Sequence, residues 1–239
     1  MTELAGVHIR ETRAHAREIK FAVEAARAPE VQQWMRAHLE PDPHGSGPDH
    51  DQLMTSSLYF ETAAFDVFHR RGSYGKSKYR VRRYGTSPIM FLERKFRTDR
   101  VLIKRRTSAA LADFDRIDGG TPDPSWYGYW FHRRLIARRL RPLVQVAYVR
   151  TARLGHSPHG KVRMTLDFDL RVLPLPDRAF LPGTGLPLLE EQNIIEIKYS
   201  VEMPPLFRQM IDRFGLTSRA VSKYRAGLHL LGLAPRATV

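Results

Sequence analysis

The feature that most constrains this chain is a polar pair that recurs at positions i and i+2 inside strand-like runs. Glu18 and Lys20, Arg80 and Arg82, Glu93 and Lys95, Lys104 and Arg106, Tyr148 and Arg150, Arg163 with Thr165 and Asp167, and Glu196 and Lys198 all follow it. Alternate side chains of a strand share a face, so each set presents its polar groups on one side. The opposite faces hold apolar residues: Ile19 and Phe21, Val81, Leu92, Ile103, Ala147 and Val149, Met164 and Leu166, Ile195 and Ile197. The stretch "IIEIKYS" at 194–200 is the clearest case, with isoleucines facing away from Glu196 and Lys198.

One such strand would simply show its charges to water. Seven together do not fit that reading, because like charges directly opposite one another destabilise a sheet. With Lys223 of the last helical run, the shared face holds the cations Lys20, Arg80, Arg82, Lys95, Lys104, Arg106, Arg150, Arg163, Lys198 and Lys223. Against them stand only Glu18, Glu93, Asp167 and Glu196. The whole chain leans the same way, with 39 Lys and Arg against 25 Asp and Glu. Such a face repels itself unless a polyanion neutralises it. Apolar-out and charged-in describes a closed or nearly closed antiparallel β-barrel with a wet, charged lumen and helices packed outside. Carboxylates among the cations suit Mg²⁺ or Mn²⁺, which bind one or two carboxylates together with phosphate oxygens.

The remaining segments fit an α+β domain spanning residues 1–239. Strands are predicted at 17–23, 58–62, 78–85, 88–97, 101–106, 143–150, 161–172 and 194–199, with turn signals at Gly72, Gly75, Gly85 and Asp99. "PEVQQWMRAHLE" reads as a helix opened by Pro29, and "EPDPHGSGPDH" at 40–50 as a loop. A cationic amphipathic helix is predicted over 126–141, stopped by Pro142. Two further helices follow, one opened by Pro204 and Pro205 and closed by Gly215, the other capped by Thr217 or Ser218.

Several function classes are excluded or disfavoured. There are 0 cysteines, so thiolate chemistry and Cys-ligated metals are ruled out. No glycine-rich phosphate loop of the G-x-x-x-x-G-K-[ST] or G-x-G-x-x-G type occurs, so side-chain charge must hold any nucleotide. No histidine pair has metal-ligand spacing. The arginines of 133–141 read as a solvated helical face, and carboxylates interleaved with the cations argue against a nucleic-acid groove. No signal-like stretch and no run of about 18 apolar residues is present, so a soluble, cytoplasmic protein is expected.

The motifs "SSLYFET", "YRVRRYG", "FLERKF", "IKRR", "VAYVR", "VRMTLDFDL", "IIEIKY" and "SKYRAG", in that order over residues 17–230, resemble the VTC domain. That is the polyphosphate polymerase domain of the triphosphate tunnel, or CYTH-like, superfamily. The resemblance implies a metal-dependent enzyme that transfers the γ-phosphate of ATP to a growing polyphosphate chain and releases ADP. It implies that Arg80, Arg82, Lys104 and Arg106 cradle the triphosphate and that Arg150 stabilises the transferring group. Lys20, Lys95, Lys198 and Lys223 would hold phosphates of nucleotide and product, with Tyr148, Arg163 and Ser222 as further contacts. Glu196 would be the principal ligand of Mn²⁺ or Mg²⁺, with Glu18 and Glu93 as helpers. Glu61 stands where the family more often has Asp, and no function is assigned to it. A triphosphatase or polyphosphatase in the same tunnel, or a polyphosphate- or nucleotide-binding module without catalysis, would use the same cations.

Overall fold

A computed structural model describes residues 9–14, 17–97, 102–118, 120–175, 180–181 and 185–234. The expected turn at Asp99 lies outside them. The elements in chain order are β1 (Ile9–Ala14), β2 (Arg17–Glu24), α1 (Ala28–His38), β3 (Glu40–Pro41), β4 (Gln52–Glu61), α2 (Asp66–His69), β5 (Ser77–Tyr84), β6 (Ile89–Arg97) and β7 (Leu102–Ala110). They continue with α3 (Tyr129–Ala137), β8 (Arg141–Ser157), β9 (Gly160–Pro174), β10 (Leu186–Pro187), β11 (Gln192–Tyr199), α4 (Pro205–Arg213) and α5 (Lys223–Leu230).

All strands join one antiparallel sheet in the order β1-β7-β6-β5-β4-β8-β9-β11-β2, with β3 on β8 and β10 on β9. The sheet curls until its two halves face each other. Lys95 of β6 reaches Glu18 of β2 at 3.2 Å, although β5, β4, β8, β9 and β11 lie between them along the ladder. The ladders described run from β1 round to β2, and no pairing between those two is among them. β1 has no counterpart in the sequence reading; it lies antiparallel on β7, with Thr12 opposite Lys104.

Alternation sorts the side chains as the sequence pattern demands. On the outer face of β2, β9 and β11, Phe21, Val23, Met164, Leu166, Ile195 and Ile197 pack under Val31, Trp34 and Met35 of α1 and Phe207 and Met210 of α4. On the outer face of β4, β5 and β6, Leu58, Phe60, Val81, Met90 and Leu92 pack with Trp130, Phe131 and Leu135 of α3. Each such side chain contributes about 1.5–3 kcal/mol on burial, so the helices hold the curl from outside.

Apolar side chains enter the interior as well. Val144 and Val146, in phase with Arg150 on β8, and Ile194, in phase with Glu196 on β11, cluster with Val172 and with Tyr224 and Leu228 of α5. Gly227 lies so near Val172 that a Cβ would come within 2.9 Å of its Cγ2. The last helix thus fills one end of the lumen with apolar groups, a correction to the expectation of a wet channel.

Two helix boundaries also differ from the sequence reading. α3 covers Tyr129–Ala137, because Arg139 takes a left-handed backbone (φ 50°) and Leu140 donates back to the Leu135 carbonyl. Pro142 is already in β8, opposite Phe60 at a register shift in β4, where a missing N–H is tolerated. α5 begins at Lys223 and is capped by Ser222, since residues before it pair with the edge of β2: Phe21 bridges Ser218, and Arg219 N–H donates to the Lys20 carbonyl.

Candidate active site

The inner faces form two walls. On the first, antiparallel register sets Arg80 opposite Glu93 and Glu93 opposite Arg106, so one carboxylate meets several cations. Glu93, 2% exposed, takes Arg80 Nε at 2.5 Å on Oε2, and Arg106 Nε at 2.6 Å and Lys104 Nζ at 2.9 Å on Oε1. Arg106 also donates to the Tyr84 hydroxyl at 2.9 Å and stacks on Phe91 at 4.2 Å. Arg82 is buried and has no carboxylate partner among the described residues. Its Nε donates to Ser57 Oγ and its Nη2 to the Tyr148 hydroxyl, each at 3.0 Å. Nothing anionic therefore neutralises Arg82 by direct contact, which is costly for a buried charge.

The second wall is built from β2, β11 and β9, where register aligns Lys20 with Glu196 and Glu18 with Lys198. Lys20 Nζ lies 3.2 Å from Glu18 and 3.4 Å from Glu196, and Lys198 Nζ lies 2.7 Å from Glu196 and 3.7 Å from Glu18. Lys95 crosses from the first wall to Glu18. Between the walls, Arg150 grips the fully buried Asp167 with two bonds of 2.5 and 2.8 Å, and Lys223 of α5 reaches the same carboxylate at 2.5 Å.

These contacts set the ionisation of the site. Burial opposes charge on Glu93, but Arg80, Arg82, Lys104 and Arg106 outweigh it and hold the carboxyl well below its usual range. The same balance, with Lys198, Lys20 and Arg150 as the cations, holds Glu196 well below it. Burial likewise opposes Asp167, yet Arg150 and Lys223 lower it to about 2. Burial pushes the Lys104 ammonium down to about 8, with Arg80 and Arg106 adding to the effect against Glu93. Burial resists ionisation of the Tyr84 phenol, but Arg82 and Arg106 bring it to about 7. Tyr59, similarly buried, falls to about 8 beside Arg80, Arg82 and Lys223.

As a home for a hard divalent cation, the second wall fits better than the first. Glu18 and Glu196 both converge on the ammonium groups of Lys20 and Lys198, so their oxygens already share cations. Thr165, opposite Glu196 in the ladder, has a buried hydroxyl without a hydrogen-bond partner. Two carboxylates completed by phosphate oxygens and water are a donor set that Mg²⁺ or Mn²⁺ accepts. Among the described residues no three His, Asp or Glu side chains gather as a metal site.

The structure brings Lys20, Arg80, Arg82, Lys95, Lys104, Arg106, Tyr148, Arg150, Lys198 and Lys223 to the lumen as the alternation requires, but not all in the expected state. Glu93 does not join Glu18 and Glu196, because its oxygens are taken by first-wall cations. Arg150 and Lys223 are tied to Asp167. Arg163 is paired with Asp42 of the 40–50 segment at 2.9 Å. The Ser222 oxygen accepts from the Arg225 N–H at the start of α5.

Residues missed in the sequence are Lys78, Tyr84, Ser57, Tyr59 and Asp42. Lys78 and Tyr84 were within reach of the same rule, since they extend Arg80 and Arg82 by one step of two in each direction. Glu61, left without a role, is a buried anchor: its carboxylate accepts from the N–H groups of Thr62, Val67 and Phe68 and from the Tyr224 hydroxyl. It ties α2 to the helix that carries Lys223.

A curled antiparallel sheet with inward cations and a few inward carboxylates is a cleft whose lining suits a polyanion. The sequence matches the VTC domain over residues 15–232, and the chain belongs to that family. No curated protein matches it significantly in sequence. Among solved structures, an adenylate cyclase candidate of Bacillus halodurans is similar in fold, at 14% identity and a TM-score of 0.56 over 88% of this chain and 95% of that one. A Hippeastrum protein described as an adenylyl cyclase candidate with a dominant triphosphatase activity covers 92% of this chain and 97% of its own, at 13% identity and a TM-score of 0.45. The fold is thus shared with the Bacillus halodurans protein.

Proposed function

We propose that the protein is a metal-dependent polyphosphate polymerase that transfers the γ-phosphoryl group of ATP to the end of a polyphosphate chain and releases ADP. The observation that carries this reading is the first wall. There Lys78, Arg80, Arg82, Lys95, Lys104 and Arg106 share one inner face with a single carboxylate, Glu93. Three negatively charged phosphates would neutralise this excess.

Phosphoryl transfer is catalysed mainly by positioning and charge neutralisation, so fixed cations suffice for much of it. Arg80, Arg82, Lys104 and Arg106 hold the triphosphate. Arg106 and Arg82 present planar forks already fixed by Tyr84, Tyr148 and Ser57. Lys20, Lys198 and Lys223 hold the acceptor chain. A terminal oxygen of that chain forms a bond to the γ-phosphorus while the bond from that phosphorus to the β–γ bridging oxygen breaks, and the electron pair leaves with ADP. Arg150 stabilises the charge on the transferring group once phosphate competes with Asp167 for its guanidinium. Held by Glu196 and Glu18, Mn²⁺ or Mg²⁺ would supply further positive charge to the triphosphate oxygens. The reading includes a cytoplasmic location.

The test is to incubate the pure protein with γ-labelled ATP, Mn²⁺ and a short polyphosphate primer, then resolve chains, orthophosphate and ADP. Label in lengthening chains, with ADP formed in equal amount, is expected. Orthophosphate as the sole labelled product would replace the polymerase with a hydrolase of the same tunnel.

A further inference from the structure

The 40–50 segment places a carboxylate on the lumen face. β3 takes over from β4 along the edge of β8, where Ala152 donates to the Asp51 carbonyl and accepts from the Asp42 N–H at 3.0 Å. Glu40 stands opposite Leu154, so Asp42, two residues on, falls opposite Ala152 and shares the face of Arg150. In the neighbouring row Leu154 faces Arg163, Arg163 faces Lys198, and Lys198 faces Glu18. Arg163 is therefore the cation beside Lys198 on the second wall. Its Nε and Nη2 donate to Asp42 Oδ2 at 3.1 and 2.9 Å, while Asp42 Oδ1 accepts from the His44 N–H at 3.1 Å. Asp42 is buried, but the Arg163 side chain keeps 31% exposure, so a solute can reach the guanidinium.

The segment does not depend on that ion pair for its place. Its backbone is fastened to β8 at both ends, and Ser46 and Gln52 close it on itself with bonds of 2.7 and 2.9 Å. Its other buried carboxylate, Asp51, is held on the opposite face of the sheet by Arg36 of α1 at 3.1 Å and Arg153 at 3.0 Å. A pair made with a partly exposed arginine is weak enough to exchange, and an anion with several charges is the solute best able to take the arginine from a single carboxylate. We propose that Asp42 is a built-in competitor of the anion: it occupies Arg163 in the free protein, yields it when a polyanion enters between the walls, and so holds down affinity at the second wall. This is a regulation of the site of the proposed function and rests on that reading.

The experiment measures the affinity of wild type, Asp42→Asn, Arg163→Gln and the double variant for a short linear polyphosphate over a series of salt concentrations. Asp42→Asn keeps an acceptor for the His44 N–H and frees the guanidinium, so binding should tighten at least about threefold and its slope against log salt should steepen by about one. Arg163→Gln should cost at least about threefold more in the Asp42→Asn background than in wild type, because only there is the arginine free before the anion arrives. Unchanged or weaker binding by Asp42→Asn overturns the competitor. Equal losses from Arg163→Gln in the two backgrounds also overturn it, since Asp42 would then act only through the general field of the lumen. If Asp42→Asn fails to fold, wild type alone carries the test by amide hydrogen exchange. Saturating polyphosphate should speed exchange at His44 at least about threefold, because its acceptor loses the hold of Arg163, and exchange that stays the same or slows overturns the proposal. These readouts need no turnover. A wild type that elongates chains while Asp42→Asn binds no tighter defeats the competitor alone, and a wild type that makes only orthophosphate defeats the polymerase reading alone.

Discussion

The two walls of the lumen carry opposite solutions to the same problem. The first, on β5, β6 and β7, gathers three arginines and a lysine around one buried carboxylate, with Arg82 steadied by hydroxyls and tyrosine rings. The second, on β2 and β11, interleaves two lysines with two carboxylates that share Lys20. Arginine is planar, always charged and geometrically fixed, whereas lysine is a mobile point charge that exchanges partners readily. Under the proposed function, the fixed wall would hold a triphosphate in one pose and the exchangeable wall would serve ions that come and go. Glu93 and Glu196, though both in strand alternation with lysines, accordingly have different partners.

The largest expected effect breaks the first wall. Glu93→Gln removes the counter-charge of three half-buried cations and leaves them crowded together, so the free protein should lose about 3 kcal/mol in a denaturant titration. Saturating triphosphate should return most of that loss by binding only the folded state. A ligand-free stability unchanged within error would mean that Glu93 is not the hub of that wall.

A smaller effect sharpens the contrast through pH. In the free protein Tyr84 titrates at about 7 and Lys104 at about 8, both lowered from their ordinary values. A bound polyanion favours the protonated form of each and raises both pKa values. Binding therefore takes up protons, and triphosphate affinity should be full below pH 7 and decline as pH rises through 7–8. Calorimetry in buffers of different ionisation enthalpy reads this uptake directly. Tyr84→Phe should remove the lower step alone, and an affinity that rises across that window would contradict the assignment. Asp167 gives the opposite sign for folding. Lowered to about 2, it contributes stability that is full above its ordinary value of 3.8 and is lost as pH falls through about 2.

Much of this was legible in the sequence because side-chain period two is a rigid consequence of strand geometry. It put Glu18, Lys20, Glu196 and Lys198 on one face, and Ile195 and Ile197 against helices on the other. Alternation carries no information about who meets whom across a curled sheet. The capture of Glu93 by Arg80, Lys104 and Arg106, and of Arg150 by Asp167, therefore had to come from register. The apolar plug was hidden for a related reason. Val144, Val146 and Ile194 obey the same alternation as the charged positions, and only the docking of α5 through Tyr224 onto Glu61 reveals that they face inward. Ser222 looked like a phosphate contact beside Lys223, and its capping of α5 follows from residues 216–221 being drawn to the edge of β2, a tertiary demand that outweighs local helix signals.

The division of labour between the walls is tested most directly by triphosphate binding with and without Mn²⁺, measured on wild type and Glu196→Gln. Triphosphate should raise the melting temperature of both proteins in the absence of metal, since the first wall is intact in each. Mn²⁺ should strengthen binding further in wild type and do so little in the variant, whose metal-dependent turnover should fall at least about 100-fold. An equal gain from Mn²⁺ in both proteins would contradict the account, because the metal would then lie elsewhere than on the wall of Glu18 and Glu196.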